Sequence, residues 1–133
     1  MKLYLDSSAL VKRYVAEAGS DEVRVAMAEA EKVTSCRLAF VETVRAVGLR
    51  TGTQGVLRFK NEWRDVNVVE IDQGLAERAA EIALATELRA LDAIHLAAAL
   101  SLSVGRPVFA TWDARLHRAA REHGLRTLPA TLD

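Results

Sequence analysis

Apolar positions along the chain follow two spacings. Short apolar runs of four to six residues read as strands: KLYLD (2–6), KVTSC (32–36), VNVVEI (66–71), VFAT (108–111) and LRTLP (125–129). Between them the apolar residues recur at three- and four-residue steps. That spacing predicts helices over 7–15, 21–31, 37–50, 56–65, 75–88, about 88–102, and 114–124. In the first helix Leu10, Val11, Tyr14 and Val15 share a face. In the third, Leu38, Val41, Arg45, Gly48 and Leu49 form the stripe. Gly19 and Ser20 break the chain, with Ser20 placed to cap the second helix, and TGTQG (51–55) reads as a loop. Asp72 is placed to cap the helix after it, and GRP (105–107) and Gly124 are further stops. The order β-αα-β-αα-β-αα-β-α-β predicts an α/β domain, with one parallel sheet covered by helices on both faces. No repeat, low-complexity run or linker divides it, so residues 1–133 are expected to form a single domain.

Composition narrows the class without naming a function. Half the residues are hydrophobic, with only 7 Gly and 2 Pro among 133, which suits a packed domain and not a disordered one. No apolar run approaches the ~20 residues of a membrane span, and Asp6 interrupts the first apolar run too early for a signal peptide. A single cysteine, Cys36, excludes an internal disulfide and fits a reducing compartment, so a cytoplasmic protein is expected. The 18 basic residues balance 18 acidic ones, which removes any global attraction to nucleic acid. A local basic rim is left as the route to such binding. Lys12, Arg13, Arg37, Arg89 and Arg115 all lie close in sequence to acids of interest.

Those acids carry the candidate chemistry. In a doubly wound sheet the ligand crevice lies at the carboxyl ends of the strands, beside the reversal in strand order. With the order 3-2-1-4-5, the first and fourth strands flank that reversal. Asp6 ends the first strand, and Asp113 follows the fourth in VFATWD. The helix carrying LRALDAIHLAAAL (88–100) begins at the same edge, which brings Asp92 there, and Glu42 sits in the second turn of the helix after the second strand. Taken singly, Asp6, Asp92 and Asp113 are each explained as helix caps, and Glu42 as a surface partner of Arg45. Independent caps have no reason to gather at one edge. Four like charges there require compensation. An oxygen-only set favours Mg²⁺ or Mn²⁺ over zinc, and such a site suits phosphodiester hydrolysis. Ser7 and Thr111 stand beside two of the acids as positioning hydroxyls, or as ordinary helix-start residues.

The remaining polar and aromatic residues read more plainly. His95 is placed as a packing residue with a possible proton-shuttling role beside Asp92. His117 and His123 fall in an Arg-rich helix and read as solvated, and Cys36, with no histidine near it in sequence, reads as a small buried hydrophobe. Trp63 and Trp112 read as packing residues. The apolar face of VLRFKNEW (56–63) exceeds what the sheet obviously needs to cover, and so suggests a partner.

LYLDSSALVKRY, FVETVRA, LRALDAIHLAAAL and VFATWDARLHRAAREHGL occur in this order through nearly the whole chain. Together they resemble the PIN-domain family, specifically the VapC-type toxins of toxin–antitoxin pairs. The resemblance implies a PIN-like three-layer α/β/α fold with a central parallel five-stranded sheet, order 3-2-1-4-5. It also implies a Mg²⁺- or Mn²⁺-dependent endoribonuclease. Its acidic set maps onto Asp6, Glu42, Asp92 and Asp113, and its hydroxyls onto Ser7 and Thr111. Many relatives carry a further acid where this chain has Arg115, which leaves occupancy by a second metal open. The implied partners are RNA, a VapB-type antitoxin and a second copy of the chain, with no membrane. The alternative is a non-catalytic PIN-like interaction module. A phospho-acceptor receiver domain fits less well, because DSS and LRTLP stand where it needs paired acids and a lysine. A haloacid-dehalogenase-type phosphatase is disfavoured by Ser8, where it needs a second aspartate.

Overall fold

The computed structural model describes residues 1–103 and 105–132. Five strands and seven helices alternate among these residues. β1 (Lys2–Leu5) leads into α1 (Ser7–Tyr14) and α2 (Ser20–Glu29), then β2 (Lys32–Cys36), α3 (Arg37–Thr51) and α4 (Thr53–Trp63). β3 (Asn67–Val69), α5 (Gln73–Ala85), α6 (Ala90–Leu100), β4 (Val108–Ala110), α7 (Ala114–Glu122) and β5 (Arg126–Leu128) complete it. The strands form one parallel sheet in the order β3-β2-β1-β4-β5, as the sequence predicts. β1 therefore lies between β2 and β4, with Tyr4 level with Thr34 on one side and Phe109 on the other.

Alternation along the strands sorts two cores. Leu3 and Leu5 point into one layer with Leu10, Val23, Phe59 and Trp63 from α1, α2 and α4. Tyr4, Cys36 and Phe109 point into the other, under α5, α6 and α7. α6 is apolar around most of its circumference, and from Ala93 to Ala99 only Ile94 is not fully buried. A helix of that kind belongs in an interior, and its neighbours cover it on several sides.

Four local expectations change. TGTQG is not a loop: Gly52 alone breaks the chain, at φ 75°, and α4 starts at the next residue. Ser20 does not cap α2, because the cap position belongs to Gly19 at φ 91°. Only glycine fits there, since a Cβ would stand 2.8 Å from the Trp112 ring. The Ser20 hydroxyl instead donates to the Val15 carbonyl and accepts from the Glu17 N–H, which ties the α1–α2 turn together. On α3 the predicted stripe has the right period and the wrong phase. Ala39, Thr43 and Val47 face inward, while Val41 and Leu49 are 65% and 73% exposed. Small residues are what a close approach to α1 requires. Finally, the apolar face of α4 is used internally, since Phe59 and Trp63 pack with Phe40 and Tyr14.

Candidate active site

The carboxyl edge of β1 and β4 builds the first half of the site. Asp6 follows β1, and its N–H donates to the Ala110 carbonyl of β4, at 3.2 Å. Its side chain is 4% exposed and its oxygens are heavily used. Oδ1 accepts from the Ser8 hydroxyl at 2.7 Å and from the Ala9 N–H at 2.9 Å, and Oδ2 accepts from the Thr111 hydroxyl at 2.5 Å. Asp6 thus caps α1 and belongs to the cluster as well. Burial pushes its carboxyl above the ordinary value, against the nearby His95 and these three donors. The hydroxyl that serves Asp6 is Ser8, not Ser7: Ser8 also accepts from the Trp112 N–H at 3.0 Å, whereas Ser7 makes no such bond.

Thr111 joins the two strand ends. It is fully buried, donates to Asp6 and accepts the Asp113 N–H at 3.1 Å. Asp113 caps α7 through Oδ1, which takes the Leu116 N–H at 2.9 Å. Asp92 departs from the capping alternative. The cap position of α6 is Arg89, with no side-chain cap, and Asp92 is the third residue of the helix, its carboxylate accepting no hydrogen bond. Burial raises its carboxyl above the ordinary value, followed by the negative charges of Asp113, Asp6 and, more weakly, Glu42. Asp92 thus senses three acids that come from three other segments of the chain.

Glu42 is held differently from the surface pairing with Arg45. Its Oε1 lies 2.9 Å from Nε2 of His95, and His95 is 2% exposed. The opposite ring nitrogen, Nδ1, lies 2.8 Å from the Tyr4 hydroxyl and 3.7 Å from Sγ of Cys36. Burial works against a charge on His95. The contacts with Cys36 and Glu42 outweigh it and raise the imidazole to about 10. Glu42 is the stronger of these partners, because a buried thiol at 3.7 Å is a weak acceptor. Sequence reasoning missed this cluster. The i+3 spacing of His95 from Asp92 was its only local trace.

Among the described residues no group of three or more His, Cys, Asp or Glu is gathered tightly enough to hold a metal ion as it stands. The acids' unused lone pairs nevertheless suit a hard cation. Both oxygens of Asp92, Oδ2 of Asp113 and Oε2 of Glu42 accept no hydrogen bond, and Oδ2 of Asp6 accepts only one. The basic rim is thinner than the sequence suggests. Lys12 donates to the Ala18 carbonyl and sits over the Trp112 ring, Arg13 pairs with Glu62, and Arg37 with Glu70. Arg89 and Arg115 remain exposed, with no partner. A groove of about 310 Å³ between α1, α2 and α4, lined in part by Leu10, Met27 and Phe59, contains none of the four acids.

The PIN domain family sequence pattern matches residues 3–122. That match spans most of the chain, which belongs to the PIN domain family. It is 31% identical over 140 residues to Ribonuclease VapC45 of Mycobacterium tuberculosis, covering 98% of this chain and 97% of that one. Among solved structures, the Mycobacterium tuberculosis toxin VapC20, described as cleaving the sarcin–ricin loop, superposes with a TM-score of 0.74. That match covers 88% of this chain and 94% of the toxin at 17% identity. A chain of a toxin–antitoxin complex from Klebsiella pneumoniae superposes with a TM-score of 0.68, at 18% identity, covering 85% and 88%.

Proposed function

We propose that this protein is a metal-dependent endoribonuclease, the toxin of a VapBC-type toxin–antitoxin pair, acting as a single PIN domain in the cytoplasm. The observation that carries the reading is membership of the PIN family with 31% identity to a ribonuclease, together with Asp92, a half-buried carboxylate that caps nothing and senses the charges of Asp113, Asp6 and Glu42. Such mutual repulsion is a cost that a binding module has no use for and a cation site does. Asp6, Asp92, Asp113 and Glu42 would hold Mg²⁺ or Mn²⁺. The chemistry supplied there is charge neutralisation and Lewis-acid activation of water and phosphate. Thr111 and Ser8 fix the Asp6 carboxylate, and Thr111 also holds the backbone that presents Asp113. Ser7, next to Asp6 and half-buried, has its hydroxyl free to meet substrate. Arg89 and Arg115 are the free cations beside Asp92 and Asp113, and they would take RNA phosphates.

The partners follow from what remains uncovered. The groove lined by Leu10, Tyr14, Met27 and Phe59, with Arg13 and Glu62 at its side, suits an amphipathic antitoxin segment. Exposed Val41 and Leu49 of α3, with Leu57 of α4, support a homodimer. No described helix is long and apolar enough to cross a membrane.

The test is cleavage of structured RNA by purified protein with Mg²⁺ or Mn²⁺, with excess chelator, and with Asp6→Asn. Cleavage that needs the ion and is lost in the variant supports the reading. Equal cleavage in excess chelator overturns the metal requirement. No cleavage under any condition leaves the non-catalytic module standing.

A further inference from the structure

We propose that His95 is a positioning residue for Glu42, clamped from behind by the Tyr4 hydroxyl, and that this relay decides which oxygen of Glu42 is presented to a cation. The inference rests on the function proposed above and extends it to residues outside the acidic set. Its basis is geometric. The imidazole makes two short hydrogen bonds through opposite ring nitrogens, to Tyr4 at 2.8 Å and to Glu42 at 2.9 Å, beside a longer contact of Nδ1 with Sγ of Cys36 at 3.7 Å, and the ring itself is 2% exposed. A ring held at both nitrogens cannot turn about its own axis without losing both bonds.

The clamp behind it is also rigid. Tyr4 is fully buried in the central strand and stacks on Phe109 of β4 with ring centroids 5.2 Å apart and planes 9° from parallel. It meets His95 edge-on, at 6.0 Å and 77°. The hydroxyl position is therefore set by β1 and β4, the two strands that also place Asp6 and Thr111. Glu42 comes from α3, outside that strand pair, and α3 is only weakly amphipathic, with a phase that the sequence does not specify well. Its carboxylate, half-buried on a flexible side chain, would otherwise sample several rotamers. Tying Oε1 to Nε2 leaves Oε2 as the unengaged oxygen and relates it to the strand framework through two hydrogen bonds. Groups that orient a ligand in this way commonly change metal affinity or activity by about 10–100-fold when removed.

The test compares His95→Gln, His95→Leu and Tyr4→Phe with the parent. Glutamine can present an N–H near the position of Nε2, whereas leucine fills space and donates nothing. Mn²⁺ affinity is measured by titration of the metal-free proteins, beside kcat and KM for RNA cleavage. We expect His95→Leu to bind Mn²⁺ about 10–100-fold more weakly. Its kcat should fall and its KM for RNA stay near the parent's, while His95→Gln recovers most of the Mn²⁺ affinity. Tyr4→Phe keeps the Phe109 stack and should show a smaller loss of the same kind. Mn²⁺ affinity and kcat in folded His95→Leu equal to the parent's would overturn the inference. Equal loss in the Gln and Leu variants would overturn it too, since that is what a packing role predicts. If neither His95 variant folds, Tyr4→Phe decides, and Mn²⁺ affinity unchanged from the parent's refutes the clamp. A parent that neither binds Mn²⁺ nor cuts RNA defeats the proposed function itself. A parent that does both beside an indifferent His95→Leu defeats only the relay.

Discussion

Thr111→Val tests whether the Asp6 carboxylate depends on the hydroxyl that joins the two strand ends. Valine has the shape of threonine, so the substitution opens no cavity, but it replaces a fully buried hydroxyl by a methyl group. Two short hydrogen bonds disappear, the one donated to Oδ2 of Asp6 at 2.5 Å and the one accepted from the Asp113 N–H at 3.1 Å, together with a long contact of 3.5 Å to the Ser8 hydroxyl. A hydrogen bond to a charged group contributes about 1.5–3 kcal/mol, and a neutral one about 1 kcal/mol. At neutral pH the expected loss is therefore about 2–4 kcal/mol, or roughly 6–20 °C in Tm for a domain of this size. The loss should depend on pH in a fixed direction. Burial already holds the Asp6 carboxyl above the ordinary value of 3.8, so ionisation of Asp6 lowers the stability of the native state as pH rises through its folded pKa. Removing a donor that favours the charged form raises that pKa further. The variant therefore falls below the parent most at pH 7–8, and the gap narrows on acidification as Asp6 becomes protonated. Urea unfolding in chelator at pH 8 and at pH 3.5, below the ordinary carboxyl value, measures both gaps, and Thr111→Ser, which restores the hydroxyl, should recover most of the loss at the higher pH. A Thr111→Val effect below about 0.5 kcal/mol, or one equal at the two pH values, would refute the charged hydrogen bond as its source.

Asp92→Asn should abolish cleavage and remove most of the Mg²⁺-induced rise in Tm, because Asp92 makes no cap and its carboxyl is raised by burial and by its acidic neighbours. In metal-free buffer it should melt within a few degrees of the parent, since relief from Asp113 and Asp6 opposes the loss of a favourable charge in the first turn of α6. Normal cleavage with the full Mg²⁺ shift would remove Asp92 from the ligand set. Replacing both Arg89 and Arg115 by Ala in the Asp6→Asn background should weaken RNA binding and flatten its log–log salt dependence by about 1.4, the value for two single-stranded phosphate contacts. A slope unchanged by the double substitution would show that neither arginine touches phosphate.

The sequence alone determined the element order, the sheet topology and the edge at which the acids gather. These are local or nearly local properties. Residue spacing distinguishes strand from helix, parallel crossovers have one hand, and Asp6 and Thr111–Asp113 directly follow strands whose neighbours the topology sets. Asp6 and Asp113 also cap helices, so the two readings of those residues were never exclusive. Three-dimensional packing decided what local pattern leaves open. Ser7 and Ser8 are equivalent in sequence, but one step at the start of a helix turns a side chain by about 100°, and only Ser8 reaches Asp6. The phase of α3 depended on which small residues could approach α1, and a weakly amphipathic segment does not announce it. Lys12, Arg13 and Arg37 looked like rim charges until the fold supplied Ala18, Glu62 and Glu70 as their partners. The Tyr4–His95–Glu42 relay is the extreme case. Its members are 91 and 53 residues apart, and their contact exists only because α6 is buried against α5, α7 and β2, where a polar side chain must find polar partners.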